Sequence, residues 1–371
     1  MATAPAHLIA PSPEVRDELR RRGGDTAQRC FQCATCSAVC SLAPDERPFP
    51  RRQMLMAQWG LIDRLAADPA VWLCHQCNDC TVRCPRNARP GDVLQAVRSM
   101  VVERLATPAW MGRLVGKARS TWPVLLGTPI LFWVVLLGLT GHLAWPAHVT
   151  AFEQVVPHLL IYSVFLPVAT WVLAVTFLEG GRFWAFLGSS GPPRKGSFLG
   201  ALLPVLGEIG THRRFADCEA ARPRRTGHLL LMWGFVGAAV TSGLLVIALY
   251  GFGSKMPLPL GHPFKILGNV SAVLLVAGVT VLSWQRLARP EVSGSTTAFD
   301  TFFLTVVLLV IATGVLSEIA RFALPGSMAG GIYVAHLSFV LTLFLTFPYS
   351  KFAHVLYRTL AMTHERMTRA D

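Results

Sequence analysis

Eight of the nine cysteines in the 371-residue chain fall into two short runs, CFQCATCSAVC at 30–40 and CHQCNDCTVRCP at 74–85. Both runs carry the C-x2-C-x2-C-x3-C spacing that wraps [4Fe-4S] cubes. Three closely spaced thiolates enclose one cube and the displaced fourth reaches across to the other, so the pairing is crossed. One cluster is expected at Cys30, Cys33, Cys36 and Cys84, the other at Cys74, Cys77, Cys80 and Cys40. Ser41 replaces the Pro85 that ends the second run, and every ligand stays in place. Zinc knots, the competing thiolate chemistry, ordinarily draw on two separated C-x2-C pairs and match the spacing less well. Cys218 stands alone.

The second constellation is of histidines. Metal-binding side chains inside a bilayer are costly and point to function by default. His336 and His354 are eighteen residues apart. That is five turns, ~27 Å, so one continuous helix would aim both at one face, one near each membrane surface. Two haems b stacked across a membrane need this spacing, each taking its second histidine from another helix. His228 follows RPRRTG and is level with His354, giving an inner haem. His262 in PLGHPFKILGN would join His336 on an outer haem, with His158 and His142 in reserve. Pro348 lies between His336 and His354, where proline kinks a helix. A quinone, menaquinone or ubiquinone, would need an apolar slot near the outer haem and groups to handle its carbonyls and protons. Lys265, Glu318 and Arg321 are placed to face such a slot. The plainer reading of the three is a snorkelling lysine and a surface ion pair. Asp300 and Glu208 lie toward the opposite side as weaker candidates.

These residues must be positioned by two unlike parts of an all-α chain. The composition is 52% hydrophobic and 15% charged, with a mean hydropathy of +0.45, outside the range of ordinary soluble domains. Residues 1–115 form a small helical, ferredoxin-like domain holding both clusters, and 116–371 a transmembrane haem b bundle. Spans of bilayer length lie near 121–143, 156–178, 228–250, 264–284, 300–322 and 331–353. Basic residues gather in the 179–227 loop, as in Arg194, Lys195, Arg213 and Arg224, and in the C-terminal Lys351, Arg358, Arg366 and Arg369. The segment from His142 to Pro157 has neither Lys nor Arg. The positive-inside rule then places both termini and the cluster domain in the cytoplasm, within a bacterial inner membrane. The N-terminus has no basic n-region or apolar h-region, so no secretory signal is expected. The formal charge of +13 follows from this topology and does not call for nucleic acid. Between the cysteine runs, short helices should pack around the cubes, with Met54, Met56 and Trp59 as core.

With these features in order, the chain resembles the membrane subunit of the quinone-interacting membrane-bound oxidoreductase (Qmo) complex, a fusion of heterodisulfide-reductase-like iron–sulfur and cytochrome b parts. The two cysteine runs, RRTGHLLLMWGF, HPFKILGN, TGVLSE and PYSKFAHVLYRTLAMTHER carry the likeness. The bundle is also similar to the gamma subunit of respiratory nitrate reductase, whose last ligand-bearing helix has two histidines eighteen apart. In that family an earlier helix supplies two ligands ten apart, whereas Ala238 stands ten after His228 here. The resemblance implies an electron-transfer subunit between membrane quinone and two cytoplasmic flavin/iron–sulfur subunits resembling heterodisulfide reductase A. Through them it implies adenylylsulfate reductase of sulfur metabolism. Two alternatives stand beside it: the membrane subunit of a heterodisulfide-reductase-like complex, and a zinc-containing membrane sensor or scaffold. A self-contained disulfide-reducing centre would need adjacent cysteines, and the chain has none.

Overall fold

The computed structural model describes residues 9–43, 48–189, 192–217 and 222–368. Cys218 and Arg369 lie outside them. Every regular element among the described residues is helical.

The N-terminal part comprises α1 (Pro13–Leu19), α2 (Thr35–Ala38), α3 (Arg51–Gln58), α4 (Ile62–Ala66), α5 (Ala70–Leu73), α6 (Asp79–Val82), α7 (Pro90–Leu105) and α8 (Ala109–Gly116). Ser12 caps α1 by accepting from the Val15 N–H at 3.3 Å. α7 is its central element, and Val93, Leu94, Ala96 and Val101 are buried against Met54, Leu65 and Val71. Met54 and Met56 are core, as expected, but Trp59 is 40% exposed. It ends α3, where its carbonyl accepts from the Ser12 N–H at 2.9 Å, so chain connection rather than packing places it.

The bundle follows as α9 (Ala118–Leu139), α10 (His158–Gly188), α11 (Phe198–Thr211), α12 (Arg222–Gly251), α13 (Pro263–Ala288), α14 (Pro290–Ser293), α15 (Ala298–Ala323), α16 (Gly326–Thr346) and α17 (Ala353–Thr368). Six of these elements are long and apolar enough to cross a membrane, α16 being counted together with α17. α12 and α13 approach closely through glycine. A Cβ on Gly278 would lie 2.6 Å from the Leu231 amide nitrogen, and one on Gly234 would lie 2.8 Å from Leu275 Cγ. Small residues let membrane helices meet backbone to backbone in this way.

Two expectations are corrected. The 179–227 stretch is not a plain loop: α10 runs on to Gly188 and α11 occupies Phe198–Thr211. The last span is not continuous through His354 either. α16 ends at Thr346, a 3-10 turn covers Phe347–Tyr349, and α17 begins at Ala353. Pro348 has no N–H for the helical ladder, which is why the chain turns there. His336 thus stands at the midpoint of α16, ten residues from either end.

The two parts share apolar packing. The core around α7 continues into Phe183 and Leu187 of α10 and Tyr357 and Ala361 of α17. Trp72 of α5 meets the rings of Phe183 and Tyr357 at centroid distances of 5.8 and 4.8 Å. The cysteine-bearing part is therefore seated directly on the end of the bundle.

Candidate metal centres

The two cysteine runs fold alike. Gln32 and Gln76 have φ of 58° and 54°, and Ala34 and Asn78 have φ of 70° and 66°, at matching positions of the repeat. This left-handed backbone turns each loop around its thiols. The Gln32 N–H points at Cys30 Sγ at 3.5 Å, the Gln76 N–H at Cys74 Sγ at 3.2 Å, and the Ala88 N–H at Cys84 Sγ at 3.3 Å. Backbone donors to sulfur are a recognised means of setting cluster potential.

Cys84 lines one cavity with Cys30, Cys33 and Cys36. The thiols acting on Cys40 are those of Cys74 and Cys77, and burial pushes Cys40 up to about 11. Cys80 is raised by burial and then by Cys74, Cys77 and Cys40. Each fourth cysteine therefore sits with the other run. Among the described residues no three His, Cys, Asp or Glu side chains converge as a single ion would need. Cys30, Cys33, Cys36 and Cys84 border a shared cavity instead. To ligate a metal these thiols must give up their protons, which burial alone disfavours and a bound cation offsets.

The histidines divide into a matched pair and two separate residues. His228 and His354 have ring centroids 6.0 Å apart. His212 Nδ1 lies 2.6 Å from the Ile209 carbonyl and so carries a proton, leaving its Nε2 to accept. His228 Nδ1 donates to that Nε2 at 2.7 Å. His354 Nδ1 donates to the Lys351 carbonyl. Both rings therefore keep an unprotonated Nε2, oriented by a partner on the far nitrogen, as metal-ligating histidines are. His336 is held similarly, its Nδ1 3.1 Å from Thr313 Oγ1, with Gly314 against the ring. The structure does not bring His262 to it. His262 is the N-cap of α13, and its Nδ1 accepts from the Phe264 N–H at 3.3 Å. That leaves the proton on Nε2. His336, ten residues into α16, is ~15 Å deeper than a helix start. His158 faces Glu153 at 3.3 Å and His142 faces Thr140 at 3.1 Å.

Sequence spacing gave no sign of the groups linking the second cysteine loop to this pair. Arg224, one turn before His228, donates to the carbonyls of Gln76 at 2.8 Å and His75 at 3.1 Å. Arg358, one turn after His354, donates to the Cys74 carbonyl at 3.3 Å and contacts the His75 ring at 2.8 Å. Arg98 also donates to the Cys74 carbonyl, at 2.7 Å. Burial and then Arg358 and Arg224 hold His75 well below its ordinary value, so its ring is neutral. A series of rings runs from His75 to Phe215 at 4.8 Å, His212 at 6.1 Å, His228 at 4.9 Å and His354 at 6.0 Å.

Lys265, Glu318 and Arg321 meet at the opposite end. Lys265 Nζ lies 2.7 Å from Glu318 Oε2, joining α13 to α15, and Arg321 reaches the other Glu318 oxygen at 3.3 Å. Asp300 instead pairs with Lys351 at 2.5 Å, and Glu208 with Arg214 at 2.7 Å, both as structural ties near the cysteine-bearing part.

These features define a class, an all-helical, multi-pass membrane protein of electron transport whose N-terminal part is a 4Fe-4S dicluster domain; the model of that domain matches residues 26–88. Within the class the chain belongs to the family described as Citrate utilization protein B, whose model matches residues 122–371. Citrate utilization protein B of Escherichia coli is 29% identical over 348 residues, 89% of this chain and 88% of that protein. A subunit of the H(2):CoB-CoM heterodisulfide,ferredoxin reductase of Methanothermobacter thermautotrophicus is 38% identical over 89 residues, 23% of this chain and 46% of its own length. The iron-sulfur subunit of the CoB--CoM heterodisulfide reductase of Methanopyrus kandleri is 30% identical over 99 residues, 27% of this chain and 48% of its own. The chain thus spans about half the length of these heterodisulfide reductase relatives. No solved structure matches.

Proposed function

We propose that the chain is the membrane electron-transfer subunit of an oxidoreductase complex, connecting a soluble redox partner to membrane quinone. The observation that supports this best is the clamp of Arg224 and Arg358 on the second cysteine loop, each one turn from a histidine of the matched pair. Cys30, Cys33, Cys36 and Cys84 would hold one [4Fe-4S] cluster, and Cys74, Cys77, Cys80 and Cys40 the other. The donor set of His228 and His354 fits an inner haem b. When bound, clusters and haem supply one-electron carriers. The protein's own part is to fix their spacing. Arg98, Arg224 and Arg358 hold the loop carbonyls, His212 and Lys351 set the tautomers, and the core around α7 excludes water. The outer haem expected from the sequence keeps one histidine, His336, so the proposal rests on the inner pair. Lys265, Glu318 and Arg321 offer a donor and acid to a quinone head group at the far end. The cluster domain faces the cytoplasm on the distribution of Lys and Arg.

The partner has two readings. The resemblance to Qmo implies heterodisulfide-reductase-A-like subunits and adenylylsulfate reductase. A relative that matches through both parts of the chain is named for citrate utilization, and this favours a partner in citrate metabolism. Purified protein should contain ~8 Fe in cubes plus haem iron, with two cubane EPR signals on reduction. A zinc content with no dithionite-bleachable visible absorption would sink the reading. Co-purification of the partner, identified by mass spectrometry, decides between the two.

A further inference from the structure

We propose that the surface around Cys33 is the docking face for the acidic rim of a soluble redox protein; this rests on the electron-transfer reading above and names the surface it uses. Cys33 is exposed, whereas Cys74 and Cys80 of the second run are buried and that loop's carbonyls are taken by arginines of α7, α12 and α17. The first loop therefore faces outward and the second faces the bundle.

Phe31, beside Cys30, is 68% exposed, and Val82, two residues before Cys84, is 60% exposed. Open apolar side chains that cluster and are rimmed by polar groups mark interaction sites. The rim is basic. The Arg86 guanidinium lies 4.0 Å from the Phe31 ring centroid, Arg51 lines the cavity with Cys33, and Arg29, Arg52 and Arg83 are exposed nearby in the chain. Some other arginines of this part are paired, as in Arg22–Glu103 at 2.5 Å, Arg89–Asp92 at 2.6 Å and Arg104–Asp63 at 2.5 Å. Among the described residues Arg29, Arg51, Arg52, Arg83 and Arg86 form no ion pair. An apolar centre rimmed by these exposed or half-buried arginines fits a partner with an apolar cofactor edge and carboxylates around it. Charge complementarity of this kind chiefly sets the association rate.

The test uses the full-length protein in nanodiscs, with reduced flavodoxin as the acidic donor and reduced methyl viologen as the small cationic one. Stopped-flow bleaching of the clusters is followed as ionic strength rises. The Arg83→Glu/Arg86→Glu variant should slow reduction by flavodoxin at low salt about tenfold or more and flatten its salt dependence. Arg83→Gln/Arg86→Gln should fall between, both variants should keep the two cubane EPR signals, and neither should slow reduction by methyl viologen. Unchanged flavodoxin rates with intact clusters overturn the docking face alone. Equal slowing by Arg113→Glu/Lys117→Glu, on α8 and its C-cap, overturns it too. Absence of clusters in the unsubstituted protein overturns the electron-transfer reading itself.

Discussion

The Arg224 guanidinium donates to the carbonyl of Gln76 at 2.8 Å, across 148 positions of sequence, and so ties a bundle helix to the loop between two cysteines. Arg358 reaches the same loop from α17. Each arginine is one turn from a histidine, so loop and histidine pair are positioned by the same two rigid helices. Movement of either helix would shift both together.

Replacing Arg358 by Gln removes a positive charge beside the second loop and should favour its cluster's oxidised form. The expected change is about tenfold in the equilibrium constant, ~60 mV lower for a one-electron couple. Arg358→Lys should recover part of it. An EPR-monitored potential titration reads the effect, and the cluster at the exposed first loop should not move.

Cys84→Ser separates crossed from uncrossed ligation. With the thiols placed as they are, it should disturb the cluster of Cys30, Cys33 and Cys36 and leave the other signal intact. Loss of the second loop's signal instead would mean that each run serves its own cube.

His354→Ala should abolish the inner haem's low-spin signal while both cubane signals persist. His212→Ala acts less directly, through the Nδ1 of His228. Changes of this kind behind a ligand typically weaken binding about 10–100-fold, so haem retention should fall without disappearing. Pyridine haemochromogen content against total iron gives the measurement.

Glu318→Gln would leave Lys265 and Arg321 without their shared carboxylate. If this end binds quinone, quinol oxidation should drop markedly while reduction of the clusters from the soluble side is unaffected. An equal loss of both would place the defect in folding and not in quinone handling.

Much of this arrangement was readable from spacing. Cysteine runs of eleven residues act locally, and the matching left-handed positions at Gln32 and Gln76 show that the repeat is also a repeat of backbone form. The six apolar stretches became six long apolar elements, because hydropathy over about twenty residues is a property of the chain itself. The helix through His336 and His354 failed for a local reason as well, since Pro348 was already visible. His262 caps α13 while His336 sits mid-helix, because helical periodicity says which face a residue takes and nothing about its depth relative to another helix.

The sequence by itself determined the chemistry that the residues could do: two thiolate sets of cubane spacing, histidines in apolar surroundings, and a chain that must be largely helical. Only the tertiary structure decided which loop meets the bundle, that His228 and His354 lie ring against ring, and that His212 stands behind His228. The links that do this are arginine to backbone carbonyl and ring to ring. A carbonyl is present at every position and leaves no mark in the sequence, so such contacts exist only once packing has chosen them.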